Sequence, residues 1–300
     1  MPSRRGYLAA SGGLLVALAG CTGTGDGDAT TSTTETTERT TTTTTAGTTS
    51  DPIEVPKRLS WGETATVDGT DVTPRAASVQ HSAFYLTSPD TVGVLSFGDR
   101  QAVFVTVDVV GDTRPAVDDF ELVLDERVQA WVEYEAAPTA RFYEQGQAYA
   151  PDESGGGWIG FDAPASVDVE EPRLRVQFGG ETEGSIRWPL PDAAASDLRA
   201  PPPAFEVSAF SAPDSVAPGG EIEVSATVEN TGDGAGTFRG AFNQRGPTYQ
   251  VETYAFDLAA GAARDWRTVL TAPESGDVDV TVGFATPGRT FRRTVEVTSG

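Results

Sequence analysis

Glu221-Ile-Glu-Val-Ser-Ala-Thr-Val-Glu-Asn230 alternates without a break: Ile222, Val224, Ala226 and Val228 fall on one side, Glu221, Glu223, Ser225, Thr227 and Glu229 on the other. A period of two over ten residues is the signature of a strand with one buried and one wet face. Asn230-Thr-Gly-Asp-Gly234 follows and supplies a turn. Further along, Val278, Val280, Val282 and Phe284 repeat the pattern against Asp277, Asp279 and Thr281, and Phe291, Val295 and Val297 close the chain. This region is therefore expected to be a sandwich of six or seven strands, immunoglobulin-like in architecture.

Working backwards, Gln101 to Val110 has the same period, with Val103, Val105, Val107 and Val109 on one face and Phe104, Thr106 and Asp108 on the other. A strand with one buried face is expected there. Phe120–Leu124, Val128–Tyr134, Trp158–Phe161, Leu174–Phe178 and Ile186–Trp188 are further strand candidates, divided by clusters of Gly, Pro and Asp. No stretch keeps a helical period. The expected fold is all-β: two immunoglobulin-like β-sandwich domains in tandem, residues 57–188 and 204–300, after a disordered Thr-rich stalk. Pro189 to Pro203, with Pro201-Pro-Pro203, reads as an extended, semi-rigid linker in which Asp192 to Leu198 has room for a brief helical turn.

The first residues carry a different kind of information. Ser3-Arg-Arg-Gly-Tyr-Leu8 precedes an uncharged apolar stretch to Gly20, too short to span a bilayer. A charged start, a short apolar run and small residues before a cut site define a signal peptide, here over residues 1–20. The Arg4–Arg5 pair resembles a twin-arginine signal. Leu18-Ala-Gly-Cys21 resembles a lipobox, which implies that the Cys21 thiol carries a glyceryl lipid and becomes the first residue after cleavage. Two lipid chains hold a protein on a membrane where one is marginal. The expected location is the extracellular face of the cell membrane. Residues 21–56 form the stalk: 14 of the 21 residues from Thr30 to Ser50 are Thr, nothing there buries apolar area, and a coil of this length spans roughly 33 Å. Thr tracts of this kind are often O-glycosylated.

The chain has 44 acidic and 21 basic residues, a net charge of −23, and Lys57 as its single Lys. That field repels nucleic acid and anionic bilayers, so neither is expected as an electrostatic partner. Self-repulsion on this scale is screened only in concentrated salt. An acidic, Thr-rich, Lys-poor chain resembles proteins of extremely halophilic archaea. With one cysteine there is no intramolecular disulfide.

Two further resemblances rest on quoted stretches. Val216-Ala-Pro-Gly-Gly-Glu221, Val228-Glu-Asn-Thr-Gly232, Leu258-Ala-Ala-Gly261 and Ala272-Pro-Glu-Ser-Gly276 make residues 204–298 similar to the cell-adhesion-related bacterial domain and its archaeal relatives. Such domains act as spacers or protein-contact modules. Gly62-Glu-Thr-Ala-Thr-Val67, Val103–Val109 and Gly157–Pro164 make residues 59–190 similar to an immunoglobulin-like domain of uncharacterised function found in prokaryotic lipoproteins. Neither resemblance supplies a catalytic set.

His81 is the sole histidine and Cys21 is committed to the lipid, so neither a Ser–His–Asp nor a Cys–His arrangement is expected, and no two-histidine metal site exists within one chain. Asp118-Asp119, Asp125-Glu126 and Glu170-Glu171 are the carboxylate pairs from which a glycosidase-like hydrolase would have to be built. Adjacent acids in so acidic a chain read as solvated surface. Acidic loops such as Asp26/Asp28 and Asp277/Asp279 lack the spacing of a calcium loop. Gly155-Gly-Gly157 reads as a flexible turn before Trp158 rather than a phosphate loop. Between Trp131 and Trp158 lies an aromatic-rich stretch. Its alternate rings suit a sandwich core, but Phe142, Tyr143 and Tyr149 sit in loop-like sequence and are the contact candidates. The expected function is therefore a non-enzymatic cell-surface lipoprotein, without cofactor, presenting two β-modules for binding, adhesion or envelope architecture to a protein or surface-glycan partner. The alternative is an accessory subunit of a membrane complex such as a transporter; a carboxylate-dependent hydrolase ranks below both.

Overall fold

Alternating Val residues 103, 105, 107 and 109 are fully buried and set the first core. The structure, a computed structural model, describes residues 57–130, 142, 144–179, 184–274 and 278–298. The signal sequence, Arg4, Arg5, Cys21, the Thr tract and Tyr143 lie outside these residues. Up to Pro189 the strands are β1 (Lys57–Arg58), β2 (Ala65–Val67), β3 (Thr70–Gln80), β4 (Ser82–Ser88), β5 (Thr91–Ser96), β6 (Arg100–Val110), β7 (Phe120–Leu124), β8 (Arg127–Ala130), β9 (Gly157–Pro164), β10 (Arg173–Phe178) and β11 (Gly184–Pro189). They form a four-stranded sheet ordered β2-β3-β6-β9, a five-stranded sheet ordered β1-β11-β10-β7-β8, and a separate β4–β5 hairpin. The four valines of β6 face Phe120, Leu122 and Leu124 of β7, Leu174 and Val176 of β10, and Ile186 and Trp188 of β11 in one apolar cluster. Burying each such side chain stabilises the fold by about 1.5–3 kcal/mol. Trp188 is wholly buried and its indole N–H donates to the Glu63 carbonyl at 3.0 Å, so its polar edge is satisfied inside the core.

β6 departs from the one-face expectation. Its first half is buried on both faces, because Ala102 and Phe104 meet Ala83, Phe97, Phe142 and Trp158 in a second apolar cluster. Phe104 and Trp158 pack edge to face, with centroids 5.3 Å apart. Gly155-Gly-Gly157 is likewise not a loose turn. A Cβ on Gly156 would lie 2.0 Å from the Val107 carbonyl, so this segment is pressed onto β6 where only Gly fits.

Asp192–Arg199 forms α1, the one α-helix among the described residues. Asp192 in its first turn and Arg199 in its last suit the helix dipole. Ala194 and Leu198 belong to the first core along with Leu190. Buried Gln101 donates to the Leu198 carbonyl at 3.0 Å, and Arg199 donates to the carbonyls of Val169 and Glu170. Much of the expected linker is thus docked structure, because its apolar residues find cover on the sandwich.

From Phe205 the strands are β12 (Phe205–Ser211), β13 (Ser215–Val216), β14 (Glu221–Asn230), β15 (Gly236–Arg245), β16 (Gln250–Leu258), β17 (Ala263–Thr271), β18 (Val278–Thr286) and β19 (Arg289–Val297). A three-stranded sheet, β12-β14-β17, covers a five-stranded one, β13-β19-β18-β15-β16. The alternation of β14 holds: Ile222, Val224, Ala226 and Val228 are buried against Phe238, Phe242, Val280, Val282 and Phe284. Trp266 stacks on Phe284, with ring centroids 4.3 Å apart. The chain is all-β with sandwich-like packing in both halves.

Candidate functional site

Phe142 and Tyr149, two of the three contact candidates, are core residues. Phe142 is 2% exposed and packs on Phe104 and Trp158. Tyr149 is 5% exposed, meets Phe120 edge to face at 5.2 Å, and donates its hydroxyl to the Pro115 carbonyl at 2.7 Å. Burial pushes that hydroxyl's pKa up to about 12. Both rings are corrections to the contact reading: apolar cover outweighed the irregular backbone that carries them.

Two of the three carboxylate pairs do come together. Asp125 accepts from the Glu170 backbone N–H at 3.3 Å, and Glu171 pairs with Arg58 and, at 3.7 Å, with Arg173. Here the acids serve as partners for backbone and guanidinium groups. Among the described residues, no group of three His, Cys, Asp or Glu stands close enough to hold a metal ion, and no helix is long and apolar enough to cross a membrane.

The β4–β5 hairpin, which belongs by sequence to the first half, lies on the outer face of the second half's five-stranded sheet. Phe84 and Val92 pack on Ala241 and Ala285. These two alanines stand opposite each other in the β15–β18 register, and their small side chains leave a seat for the ring. Asn243, one step along β15, takes both backbone groups of Val92. Val92 N–H donates to its Oδ1 at 3.0 Å, and its Nδ2 donates to the Val92 carbonyl at 3.0 Å. This is the pairing a neighbouring strand would make, supplied by one side chain. Nearby, Arg239 reaches Glu144 at 3.3 Å, with the Arg239 side chain only 12% exposed. His81 sits beside Arg239 and Asp197, its Nδ1 buried and unpartnered. Burial first, and then the Arg239 charge, hold its pKa below the usual value.

A second fastening lies at the passage between the halves. Buried Asn230 accepts from the N–H groups of Ala204 and Gly232 at 3.1 Å and donates to the carbonyls of Gly234 and Leu258. Gly234 N–H meets the Pro202 carbonyl, and Thr231 N–H the Ala204 carbonyl at 2.7 Å. A Cβ on Gly234 would stand 1.7 Å from the Pro201 carbonyl oxygen. The Asn-Thr-Gly-Asp-Gly turn is therefore a clamp on the proline segment.

Beside the hairpin runs a groove of about 590 Å³. Its floor follows the register row Asn243–Gly283–Arg292, in which Gly283 leaves an open strip between two polar side chains. Arg245, Arg289 and Arg292 line it with Tyr85 and Thr281, and no Asp or Glu does. Arg245 donates to the Thr91 hydroxyl at 3.1 Å, and the Arg289 guanidinium lies 4.5 Å from the Phe291 ring centroid. Among the described residues, none of the three forms an ion pair with a carboxylate. The groove is assembled from segments about 150 residues apart, so no local motif announces it.

No protein-family model matches the chain, and no curated protein matches it. Solved structures share short stretches of it. A β-glucosidase from Listeria innocua, in complex with isofagomine, is 20% identical over 32% of this chain and 16% of that one, with a TM-score of 0.29. A cycloisomaltooligosaccharide glucanotransferase from Paenibacillus sp. is 16% identical over 33% of this chain and 15% of that one, with a TM-score of 0.30. An alkylpurine DNA glycosylase from Pseudomonas fluorescens is 15% identical over 31% of this chain and 30% of that one, with a TM-score of 0.26. The chain thus spans about a sixth of the length of the first two. Likenesses this partial carry no argument about activity.

Proposed function

We propose that the protein is a non-enzymatic cell-surface lipoprotein, exported by a twin-arginine signal, anchored through lipid on Cys21, and holding two β-sandwich modules away from the membrane on its Thr-rich stalk. The immunoglobulin-like and cell-adhesion-related resemblances belong to this reading, as does the halophilic setting suggested by the net charge of −23. The observation that supports it best is the fastening of the two halves. Asn243 satisfies both backbone groups of Val92 across a span of 151 residues, and Asn230 clamps the proline passage. Two independently tumbling modules would need neither. A unit braced in this way suits the presentation of one composite surface at a set distance from its anchor. Membrane fractionation of Cys21→Ser tests the anchor: the variant should leave the membrane fraction, and retention there would sink the proposal.

A further inference from the structure

We propose that the groove between the β4–β5 hairpin and the β15–β18–β19 face binds an acidic carbohydrate, an oligosaccharide carrying carboxylate or sulfate groups. The inference deepens the surface role above and rests on it for the ligand's setting. The starting point is charge. Acidic residues outnumber basic ones by more than two to one in this chain, yet the groove gathers Arg245, Arg289 and Arg292 and no acid. Some arginines elsewhere have carboxylate partners, Arg58 and Arg173 in Glu171, Arg175 in Glu121 and Arg239 in Glu144, and others such as Arg264 and Arg267 form no ion pair among the described residues. What sets Arg245 and Arg292 apart is their shared place on the outer face of one sheet, lining one concavity. Arg245 and Arg292 bring guanidiniums to this concavity without a carboxylate ion pair among the described residues, while the Arg289 guanidinium lies over the Phe291 ring and the exposed Asp90 stands within electrostatic reach of Arg245. Each guanidinium offers a planar fork of N–H donors that fits a carboxylate or sulfate oxygen pair.

The remaining lining distinguishes carbohydrate from acidic peptide. Thr281 and Thr290 supply hydroxyls, Gly283 leaves the floor open, and Tyr85 contributes a ring to the wall. Hydroxyl donors and acceptors around one aromatic face match the alternating hydroxyl and C–H surface of a sugar. A peptide would bind by strand addition to β5 or by lodging an apolar anchor. At Val92 the β5 edge is already taken by Asn243, and the Phe84 seat is already filled by the hairpin itself. A volume of about 590 Å³ lies within the range of small-ligand sites.

The test is titration calorimetry on the full chain at the lowest salt at which circular dichroism shows it folded, with polygalacturonate, dextran sulfate, neutral dextran and polyglutamate as probes. Saturable binding is expected to one or both charged polysaccharides, and which of them binds identifies carboxylate or sulfate as the recognised group. Dextran should not bind, and polyglutamate should bind at least tenfold more weakly. The double variant Arg245→Gln/Arg292→Gln should lose at least tenfold in affinity. Arg267→Gln, which removes one exposed positive charge from β17 in the opposite sheet, should change it by less than twofold. The proposal is overturned if neither charged polysaccharide binds, if dextran or polyglutamate binds as tightly, or if Arg267→Gln weakens binding as much as the double variant. Each of these results leaves the Cys21 anchor untouched, since membrane fractionation and the mass of the N-terminal peptide read that separately.

Discussion

Replacing Asn243 with Ala removes the side chain that pairs with both backbone groups of Val92. Val92 is 6% exposed, so its N–H and carbonyl both lose their partners in a nearly dry place. Leaving a buried polar group unpaired costs about 1–3 kcal/mol. Two such groups set an upper figure of about 6 kcal/mol, but Asn243 also lines the groove, and water entering from there can take over part of the pairing. The expected loss is therefore about 2–4 kcal/mol. Asn243→Asp sharpens the argument, because a carboxylate still accepts from the Val92 N–H but sets an oxygen against the Val92 carbonyl. It should be at least as damaging as Ala near neutral pH. Equilibrium unfolding in urea measures both. A loss below about 0.5 kcal/mol for Ala would mean that the hairpin is held by Phe84 packing alone, and the reasoning about backbone pairing would be wrong.

Gly234→Ala should cost about 1–3 kcal/mol, the usual range for forcing extra atoms into close packing, and should expose the proline passage to limited proteolysis; an unchanged thermal midpoint and cleavage pattern would remove the clamp from the account. For His81, the folded-state pKa is held below 6.5 by burial and then by Arg239. The unfolded chain therefore binds the proton more readily, and stability should fall as pH drops through 6.5 towards the folded-state value. As the sole histidine, it gives an NMR titration without assignment ambiguity, and a midpoint at or above 6.5 would contradict the geometry. Tyr149 and Tyr254 are both raised to about 12, chiefly by burial. Each unfolds to an ordinary value near 10, so stability should decline as pH rises above about 10. Tyr149→Phe should reduce that decline at a cost of about 1 kcal/mol for the lost bond to Pro115, and an ultraviolet titration in which every tyrosine ionises together would refute it.

The strands that face one core and one solvent side were legible. β14 alternates in sequence as it does in burial, and β7 runs over Phe120–Leu124 as the sequence pattern indicates. The β4–β5 hairpin was not. Ala83-Phe-Tyr-Leu86 and Val92-Gly-Val-Leu95 show no alternation because one side covers Phe104 and the other covers Ala241 and Ala285. A period-two test fails where both faces are apolar. Pro89-Asp90 between the two runs was the available clue to a turn. Asn230 reads in sequence as a turn former, and only the fold reveals that its amide organises four backbone groups. Phe142 and Tyr149 mislead in the opposite direction, since loop-like sequence says little about exposure once a large ring finds a core. The groove arginines lie on β15 and β19, and only the register brings Arg245 and Arg292 to one face of the sheet.

The central claim is that this β-sandwich unit is held at a cell surface by lipid on its one cysteine. Mass spectrometry of the N-terminal peptide from membrane-isolated protein tests it most directly. The account predicts that the chain begins at Cys21, with its sulfur in a thioether to a two-chain glyceryl lipid and Arg4 and Arg5 gone. A peptide that retains Arg4 and Arg5, with Cys21 as a free thiol, would contradict it.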